Sequence, residues 1–293
     1  MALRRPNALA GIGLVVGASA CFAALDTTTK AVSAAVPLLM ALWFRYLFQA
    51  VATTAIVMPQ RGWRVWRTRR LAWHIVRGVL LLTSSFLAFL SLRYLPVGEF
   101  TAIVMITPLA ITVLAATMLK EPVTPLRWLL VAGGFAGTLV IIRPGQGSLG
   151  WTSLLPLALV ASNAWFQVLT SKLARTEDPV TMHLITGWTG TLISSLLVPF
   201  VWTAVPDPWL WAGMLFMGLM ATVGHFALIL AYYRAPAATL TPYLYSQIAF
   251  AMLGGFIVFS HVPDHLSLIG IVMIAVCGAA GAWLTVRERR AAA

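Results

Sequence analysis

The sequence predicts an all-α membrane protein in which ten transmembrane helices form two inverted five-helix repeats. Three observations predict this class. The composition is strongly apolar, ten apolar runs have membrane-spanning length, and the two halves of the chain match each other.

Composition separates this chain from soluble proteins. Of its 293 residues, 60% are hydrophobic and 10% are charged, and the mean hydropathy is +0.89. Soluble domains carry about 25% charged and about 45–50% apolar residues. This composition excludes disorder, a fibrous repeat and a secreted disulfide scaffold. The two cysteines, Cys21 and Cys277, lie in apolar runs without metal-ligand spacing and are interpreted as small core residues.

Apolar runs between charged, proline or glycine breaks give ten candidate spans of about 20 residues, which is the length that crosses a bilayer core. The spans are 8–29, 37–58, 71–93, 97–118, 126–142, 151–173, 180–203, 209–232, 237–259 and 266–286. Only short loops remain, so residues 1–293 are predicted to form one transmembrane domain. The first span resembles a signal peptide after Arg4 and Arg5, but nine similar spans follow and we expect it to be retained.

The distribution of Lys and Arg predicts the orientation. With the N-terminus in the cytoplasm, 16 of the 20 Lys and Arg residues fall on the cytoplasmic side. The positive-inside rule therefore favours a multi-pass protein of the cell inner (plasma) membrane with both termini cytoplasmic. The net charge of +12 would indicate nucleic acid in a soluble protein, but here it fits cationic loops, and no nucleic-acid partner is expected.

The two halves of the chain match at a nearly constant offset. Lys30 and Pro37 recur 142 residues later as Lys172 and Pro179, and Gly78, Phe86 and Pro96 recur 140 residues later as Gly218, Phe226 and Pro236. Because each half has an odd number of spans, the second half must insert with the opposite orientation. This predicts an inverted repeat of residues 8–143 and 151–286, a build typical of secondary transporters that bind substrate near the midplane.

Four segments resemble those of the drug/metabolite transporter superfamily, EamA family. They are Trp43-Phe44-Arg45-Tyr46, Tyr94-Leu95-Pro96, Lys120-Glu121-Pro122 and Ser171-Lys172. The resemblance covers residues 8–286 and is closest to aromatic amino acid exporters of the YddG type. It implies two inverted repeats around one central cavity, lined by spans 1, 3, 4, 6, 8 and 9. The membrane-embedded Glu that the superfamily's small multidrug pumps carry in the first span is absent, which argues against proton coupling.

Polar and aromatic side chains in spans 6, 8 and 9 are the candidate substrate-binding residues, because polar groups in a membrane usually face the bundle interior. They are Asn163, Trp165, Gln167, His225, Tyr243, Tyr245, Ser246 and Gln247. For Asn163 and Gln167, four residues apart on one face, interhelical hydrogen bonding is the alternative. For His225 the alternative is a hydrogen-bonded packing role.

A second set of residues is assigned to gating or structure: Asp26, Lys30, Arg45, Glu99, Pro108 and Pro242. Asp26 and Lys30 share a helical face and form either an interfacial ion pair or a polar rim that receives a zwitterion. Arg45, in the middle of span 2, is expected to be structural. The two prolines are expected to kink spans 4 and 9.

The favoured function is export of aromatic and other neutral amino acids by alternating access, because donors and acceptors lie beside aromatic side chains and no basic cluster sits at the midplane. The alternatives are a multidrug or other metabolite exporter and, in another class, a non-transporting membrane-embedded enzyme or scaffold. No nucleotide, metal or nucleophile motif occurs, so no catalytic role, cofactor or metal is expected. The partners expected are a small-molecule substrate and the lipid bilayer. Glycine stripes at 133–137 and 278–281 indicate helix packing within each repeat or, alternatively, a homodimer face.

Overall fold

A computed structural model describes residues 7–33, 35–94, 103–142, 152, 154–205, 207–259 and 264–291. These residues form helices and no strand. The helices are α1 (Ala8–Val32), α2 (Leu38–Arg61), α3 (Leu71–Tyr94), α4 (Thr107–Met118), α5 (Pro125–Ile142), α6 (Leu154–Leu173), α7 (Pro179–Ser195), α8 (Pro208–Arg234), α9 (Ala237–Leu244), α10 (Ser246–Phe259) and α11 (His265–Ala291). Two 3₁₀ helices, Gly62–Trp66 and Val198–Phe200, follow α2 and α7.

Seven helical segments in these ranges are long and apolar enough to cross a membrane. They are Ala8–Val32, Leu38–Trp66, Leu71–Ser91, Leu154–Leu173, Pro208–Arg234, Ala237–Val258 and His265–Leu284. The predicted all-helical class is therefore confirmed. The helices at the positions of spans 4, 5 and 7 are shorter, so the count of ten spans stays a prediction.

The seventh predicted span is shorter than its apolar run. Its start follows the sequence signals, because the Asp178 side chain accepts a hydrogen bond from the Thr181 backbone N–H (3.2 Å) and Pro179 occupies the first turn. The helix ends at Ser195, and the 3₁₀ turn that follows contains Pro199. Proline has no backbone N–H to donate to the helical hydrogen bonds. Hydrophobicity alone therefore overestimated the length of this helix.

Two Thr-Pro pairs interrupt the helices of spans 4 and 9. Pro108 lies in the first turn of α4, and Pro242 lies near the end of α9, which is separated from α10 by Tyr245. In each pair the threonine hydroxyl donates to the carbonyl four residues before the proline, at 2.6 Å for Thr107 and 3.4 Å for Thr241. That carbonyl is the one that the missing proline N–H leaves without a helical partner. Span 9 is therefore two helices, where the sequence predicted one kinked helix.

The main helix contacts join the first half of the chain to the second. Helix α1 packs along α8 and α10, α3 along α6 and α7, α2 against α7 and α8, and α5 along α11. Glycines allow the closest approaches, since a Cβ on Gly190 would lie within 2.2 Å of the Tyr46 ring and one on Gly218 within 2.6 Å of Phe48. The core therefore lies at the interface of the two halves.

The predicted glycine stripe of α5 is used inside the chain. A Cβ on Gly133 would lie 2.7 Å from Cys277 Sγ, and one on Gly137 would lie 3.0 Å from the Gly270 carbonyl oxygen. Both contacts are with α11, so the glycines of α5 pack the first half of the chain against the second. The sequence predicts packing within each repeat, and the structure differs in this respect.

Candidate functional site

The inward face of α1 carries an exposed acid. Val15, Ser19, Phe22 and Asp26 are spaced i, i+4, i+7 and i+11 and share one face of the helix. Val15 and Ser19 are fully buried, whereas Asp26 is exposed. The exposed position Gly17 lies nine residues from Asp26, which is about half a turn away around the helix. The inward face of α1 is therefore covered at the level of Ser19 and uncovered at the level of Asp26.

Arg45 on α2 lies near this acid. It interacts electrostatically with Asp26, but the described residues place no carboxylate within salt-bridge distance of it. Its Nη1 donates to Ser85 Oγ at 3.4 Å, its Nη2 lies 3.5 Å from His225 Nε2, and its buried Nε has no hydrogen-bond partner. A guanidinium offers five N–H donors, so Arg45 retains unused donor capacity.

Gln247 and His225 complete the polar part of this region. Gln247 Nε2 donates to Asp26 Oδ2 at 2.9 Å. His225 Nδ1 lies 3.0 Å from the Ala221 carbonyl oxygen, which assigns the proton to Nδ1 and leaves Nε2 as an acceptor facing Arg45. Polar groups from α1, α2, α3, α8 and α10 thus converge.

Aromatic rings border the same region. The Phe22 ring lies 4.7 Å from the His225 ring in an edge-to-face arrangement, and the Phe166 ring lies 6.2 Å from it. The "central cluster" is defined here as Phe22, Asp26, Arg45, Ser85, His225 and Gln247. It combines both charges, neutral hydrogen-bonding groups and an apolar wall.

The predicted site residues divide between the central cluster and other contacts. His225 and Gln247 belong to the cluster, together with Asp26 and Arg45 from the gating and structural set. Gln167 instead accepts from Tyr232 Oη at 2.6 Å and donates to Asn163 Oδ1 at 2.7 Å, which links α6 to α8.

Trp165 and the two tyrosines of span 9 lie away from the central cluster. Trp165 is 45% exposed, on a stripe of α6 with Leu154 and Ala161. Tyr245 packs against Gly134 of α5, and Tyr243 packs against Gly281 of α11. In both contacts the missing side chain of the glycine leaves room for the tyrosine ring. Both tyrosines therefore face the α5–α11 pair.

The remaining predicted residues mark helix ends and breaks. Ser246 donates to the Tyr243 carbonyl at 2.7 Å, across the break between α9 and α10. Lys30 is exposed in the last turn of α1. Glu99 lies outside the described residues.

Arg77 is a buried cation that the sequence did not single out as a site. Its side chain is fully buried on α3 and donates to Thr170 Oγ1 at 3.4 Å, to the Met182 carbonyl and to Thr186 Oγ1. The orientation count above includes Arg77 among the 16 Lys and Arg residues predicted to lie on the cytoplasmic side. The available signal was its position, seven residues into an apolar run.

Ion pairs close the end of the bundle at which α1 begins, which we call the basal end. Arg61 Nη1 lies 3.0 Å from Asp178 Oδ2. Glu177 Oε2 accepts from Thr68 Oγ1 at 2.8 Å and lies 3.3 Å from His74 Nε2. Each pair joins the first half of the chain to the second.

Glu121 makes a further basal link between the halves. Its Oε1 lies 2.5 Å from Arg175 Nη2, and its Oε2 accepts from the Ala238 N–H at 3.0 Å. That N–H belongs to the first turn of α9, where a helix favours a negative charge. The "basal network" denotes Arg61, Thr68, His74, Glu121, Arg175, Glu177 and Asp178.

Comparison with known proteins supports a membrane transporter. The model of the EamA-like transporter family matches residues 9–143, the first half of the chain. The chain is similar to a riboflavin transporter of Rhizobium johnstonii, at 28% identity over 94% of this chain and 91% of that protein.

Two other relatives are named for different substrates. An S-adenosylmethionine uptake transporter of Rickettsia felis is 25% identical over 91% of this chain and 90% of that protein. The pseudopaline exporter CntI of Pseudomonas aeruginosa is 23% identical over 91% and 93%. All three relatives are named as small-molecule transporters, and their substrates differ.

A solved crystal structure shares the fold. It superposes with a TM-score of 0.80 at 20% sequence identity, over 95% of this chain and 98% of that one. The helical arrangement described above is therefore shared along nearly the whole chain.

Proposed function

We propose that this chain is a secondary transporter that exports small amphipathic metabolites, above all aromatic and other neutral amino acids, across the inner membrane by alternating access. The single observation that carries the proposal is the central cluster. Five apolar helices from both halves contribute side chains to it, and it brings Asp26 and Arg45 together with the Phe22 ring. Charged groups are costly in a membrane and usually mark a substrate pathway.

The helix packing supports an inverted repeat of residues 8–143 and 151–286. In such a repeat α1, α2 and α3 correspond to α6, α7 and α8. The contact of α1 with α8 then corresponds to the contact of α6 with α3. Likewise, the contact of α2 with α8 corresponds to the contact of α7 with α3. The helix interruption at Met105–Ile106 precedes the one at Tyr245 by 140 residues, the same offset that relates Gly78 to Gly218. Broken helices in corresponding positions of two halves are typical of transporter sites.

The charge distribution supports an orientation with the basal end in the cytoplasm. The basal end carries Arg61, Arg70 and Arg175, and α1 begins at that end. Both termini are proposed to lie in the cytoplasm. Asp26, near the other end of α1, would then lie toward the periplasmic side. In a variant with a cysteine at Arg64, a membrane-impermeant thiol reagent should react from the cytoplasmic side, and reaction from the periplasm would contradict the orientation.

Counterflow in proteoliposomes tests the function. Vesicles that contain the pure protein and unlabelled L-phenylalanine should accumulate labelled L-phenylalanine without a pH gradient, and the amino acid should be recovered unchanged because the protein is proposed to be no enzyme. Protein-free vesicles are the control. Flux that appears only with a pH gradient would contradict downhill transport, and no flux of any amino acid would contradict the substrate class.

The relatives favour a second candidate, a carrier of larger amphipathic metabolites. Three of them are named for riboflavin, S-adenosylmethionine and pseudopaline. Labelled riboflavin and S-adenosylmethionine therefore belong in the same counterflow panel. Faster exchange of either compound than of phenylalanine would favour this candidate.

A further inference from the structure

We propose that Asp26 and Arg45 bind the two ends of one zwitterionic head group, with Asp26 receiving the ammonium group and Arg45 the carboxylate. This inference rests on the proposed transport function and names its substrate class: metabolites that carry an α-amino acid head. It also assigns a binding role to Arg45, which was expected to be structural.

Asp26 and Arg45 carry opposite charges and are not bonded to each other. They interact electrostatically, yet their N and O atoms are not within the 4.0 Å of a salt bridge. Charged groups inside an apolar helix bundle are usually paired. Since these two do not pair with each other, a ligand that carries the complementary charges in the opposite order would supply both partners.

Arg45 has hydrogen-bonding capacity that the described residues do not use. Its two contacts, to Ser85 Oγ and His225 Nε2, are long and involve neutral groups, and its Nε is buried with no acceptor. An unpaired buried donor costs roughly 1–3 kcal/mol. A carboxylate is the acceptor that best matches a guanidinium, because two parallel N–H···O bonds can form.

The Asp26 carboxylate is only partly occupied by the described residues. Only Oδ2 takes part in a hydrogen bond to a described residue, which comes from the neutral amide of Gln247. The residue is exposed, although it continues the inward stripe of Ser19 and Phe22. This carboxylate is therefore open to the ammonium group of a ligand, and the Gln247 amide holds it in place.

An apolar wall lies beside the two charges. Phe22 lies one turn before Asp26 on the same face of α1, and its ring meets the His225 ring at 4.7 Å. A head group held between Asp26 and Arg45 would direct its side chain toward these rings. An aromatic or other apolar side chain gains contact there without a further polar partner.

Competition against labelled L-phenylalanine counterflow tests the pairing. The competitors are L-phenylalanine, phenethylamine (which lacks the carboxylate) and 3-phenylpropanoate (which lacks the ammonium group). For the wild type, we expect phenylalanine to compete at least tenfold more strongly than either analogue.

Two variants then separate the two charges. In Arg45→Gln, phenylalanine should lose its advantage over phenethylamine, and in Asp26→Asn it should lose its advantage over 3-phenylpropanoate. Asp207→Asn and Arg64→Gln remove the same charges far from the central cluster and should behave as wild type. Purified protein with an unchanged melting temperature excludes misfolding. If a variant no longer transports phenylalanine, its binding of the same three compounds can be compared instead. Binding is then measured as the rise in melting temperature that each compound causes.

The outcomes separate this inference from the proposed function. Equal competition by all three compounds in an active wild type would overturn the zwitterion site and leave transport intact. The same would follow if both variants lost selectivity against both analogues in parallel. A wild type that neither transports nor binds any amino acid would reject the proposed function and this inference together.

Discussion

Arg45 and Arg77 are both cations within membrane helices, and their surroundings differ. Arg77 is fully buried and meets oxygen acceptors on α6 and α7, whereas Arg45 has two long contacts to neutral groups and lies near Asp26. From the sequence, Arg45 is expected to be structural and Arg77 is not singled out. The sequence shows where a charge lies along a helix, but it does not show which partners surround that charge. The partners of Arg77 are about 100 residues away in the chain.

At Arg77, we expect Arg77→Met to be at least as stable as the wild type. The variant removes a desolvated charge that has no acidic partner among the described residues and keeps most of the side-chain volume. The threonine hydroxyls stay satisfied, because Thr170 and Thr186 each also donate to the carbonyl four residues earlier.

The comparison variant Arg77→Ala leaves a cavity and should lose roughly 2–5 kcal/mol. Melting temperatures of purified protein in detergent measure both variants, with the exposed Arg64→Ala as control. A large loss of stability in Arg77→Met would show that the charge itself is required.

Helix elements in this protein depend on glycine and proline at particular positions. Gly254 and Gly255 are adjacent in α10, but a Cβ on Gly254 would lie 2.6 Å from Thr27 Oγ1, whereas one on Gly255 would meet nothing within 4 Å. The hydropathy pattern predicted the apolar run containing both residues. It could not distinguish them, because the neighbour that matters belongs to α1.

Gly254→Val should therefore destabilise the protein, by about 1–3 kcal/mol as is usual for overpacking, while Gly255→Val should have little effect. The measurement is the melting temperature together with the amount of monodisperse protein recovered. The two substitutions make the same residue change in the same helix. A similar loss of stability from both would therefore contradict the packing of α10 on α1.

The break between α9 and α10 is predicted to limit the rate of transport. Pro242→Ala restores a backbone donor and should favour a continuous helix, so the maximal counterflow rate should fall severalfold while the apparent affinity stays nearly unchanged. Pro208→Ala, in the first turn of α8, is the control. An unchanged rate, or a fall in affinity alone, would contradict a hinge at Tyr245.

At the scale of the whole molecule, the basal network ties one half of the chain to the other. Glu121, Glu177 and Asp178 each contact a residue of the opposite half. Local sequence placed these acids near basic residues but could not pair them, because partners such as Arg61 and Asp178 are 117 residues apart. Hydropathy predicted most helix positions well, because a bilayer requires apolar residues at each of them.

Weakening the basal network should favour opening of the basal end. In a background without Cys21 and Cys277, a cysteine at the buried position Ser19 should react faster with a thiol reagent applied from the basal side when Glu121→Gln and Glu177→Gln are combined. Asp207→Asn is the control. An unchanged labelling rate would show that other contacts keep this end closed.

The reciprocal packing of the two halves bears on how the chain is made. Helices α1, α2 and α3 enter the bilayer before the helices they pack against have been synthesised. During that interval the hydrogen-bond partners of Gln49 (His183) and of Arg77 (Met182 and Thr186) have not yet been made. These polar side chains therefore lie in the membrane without those partners while more than 100 further residues are synthesised. A nascent chain stopped near residue 150 should accordingly be a substrate for membrane quality-control proteases, and it should be rescued when the second half is supplied as a separate polypeptide.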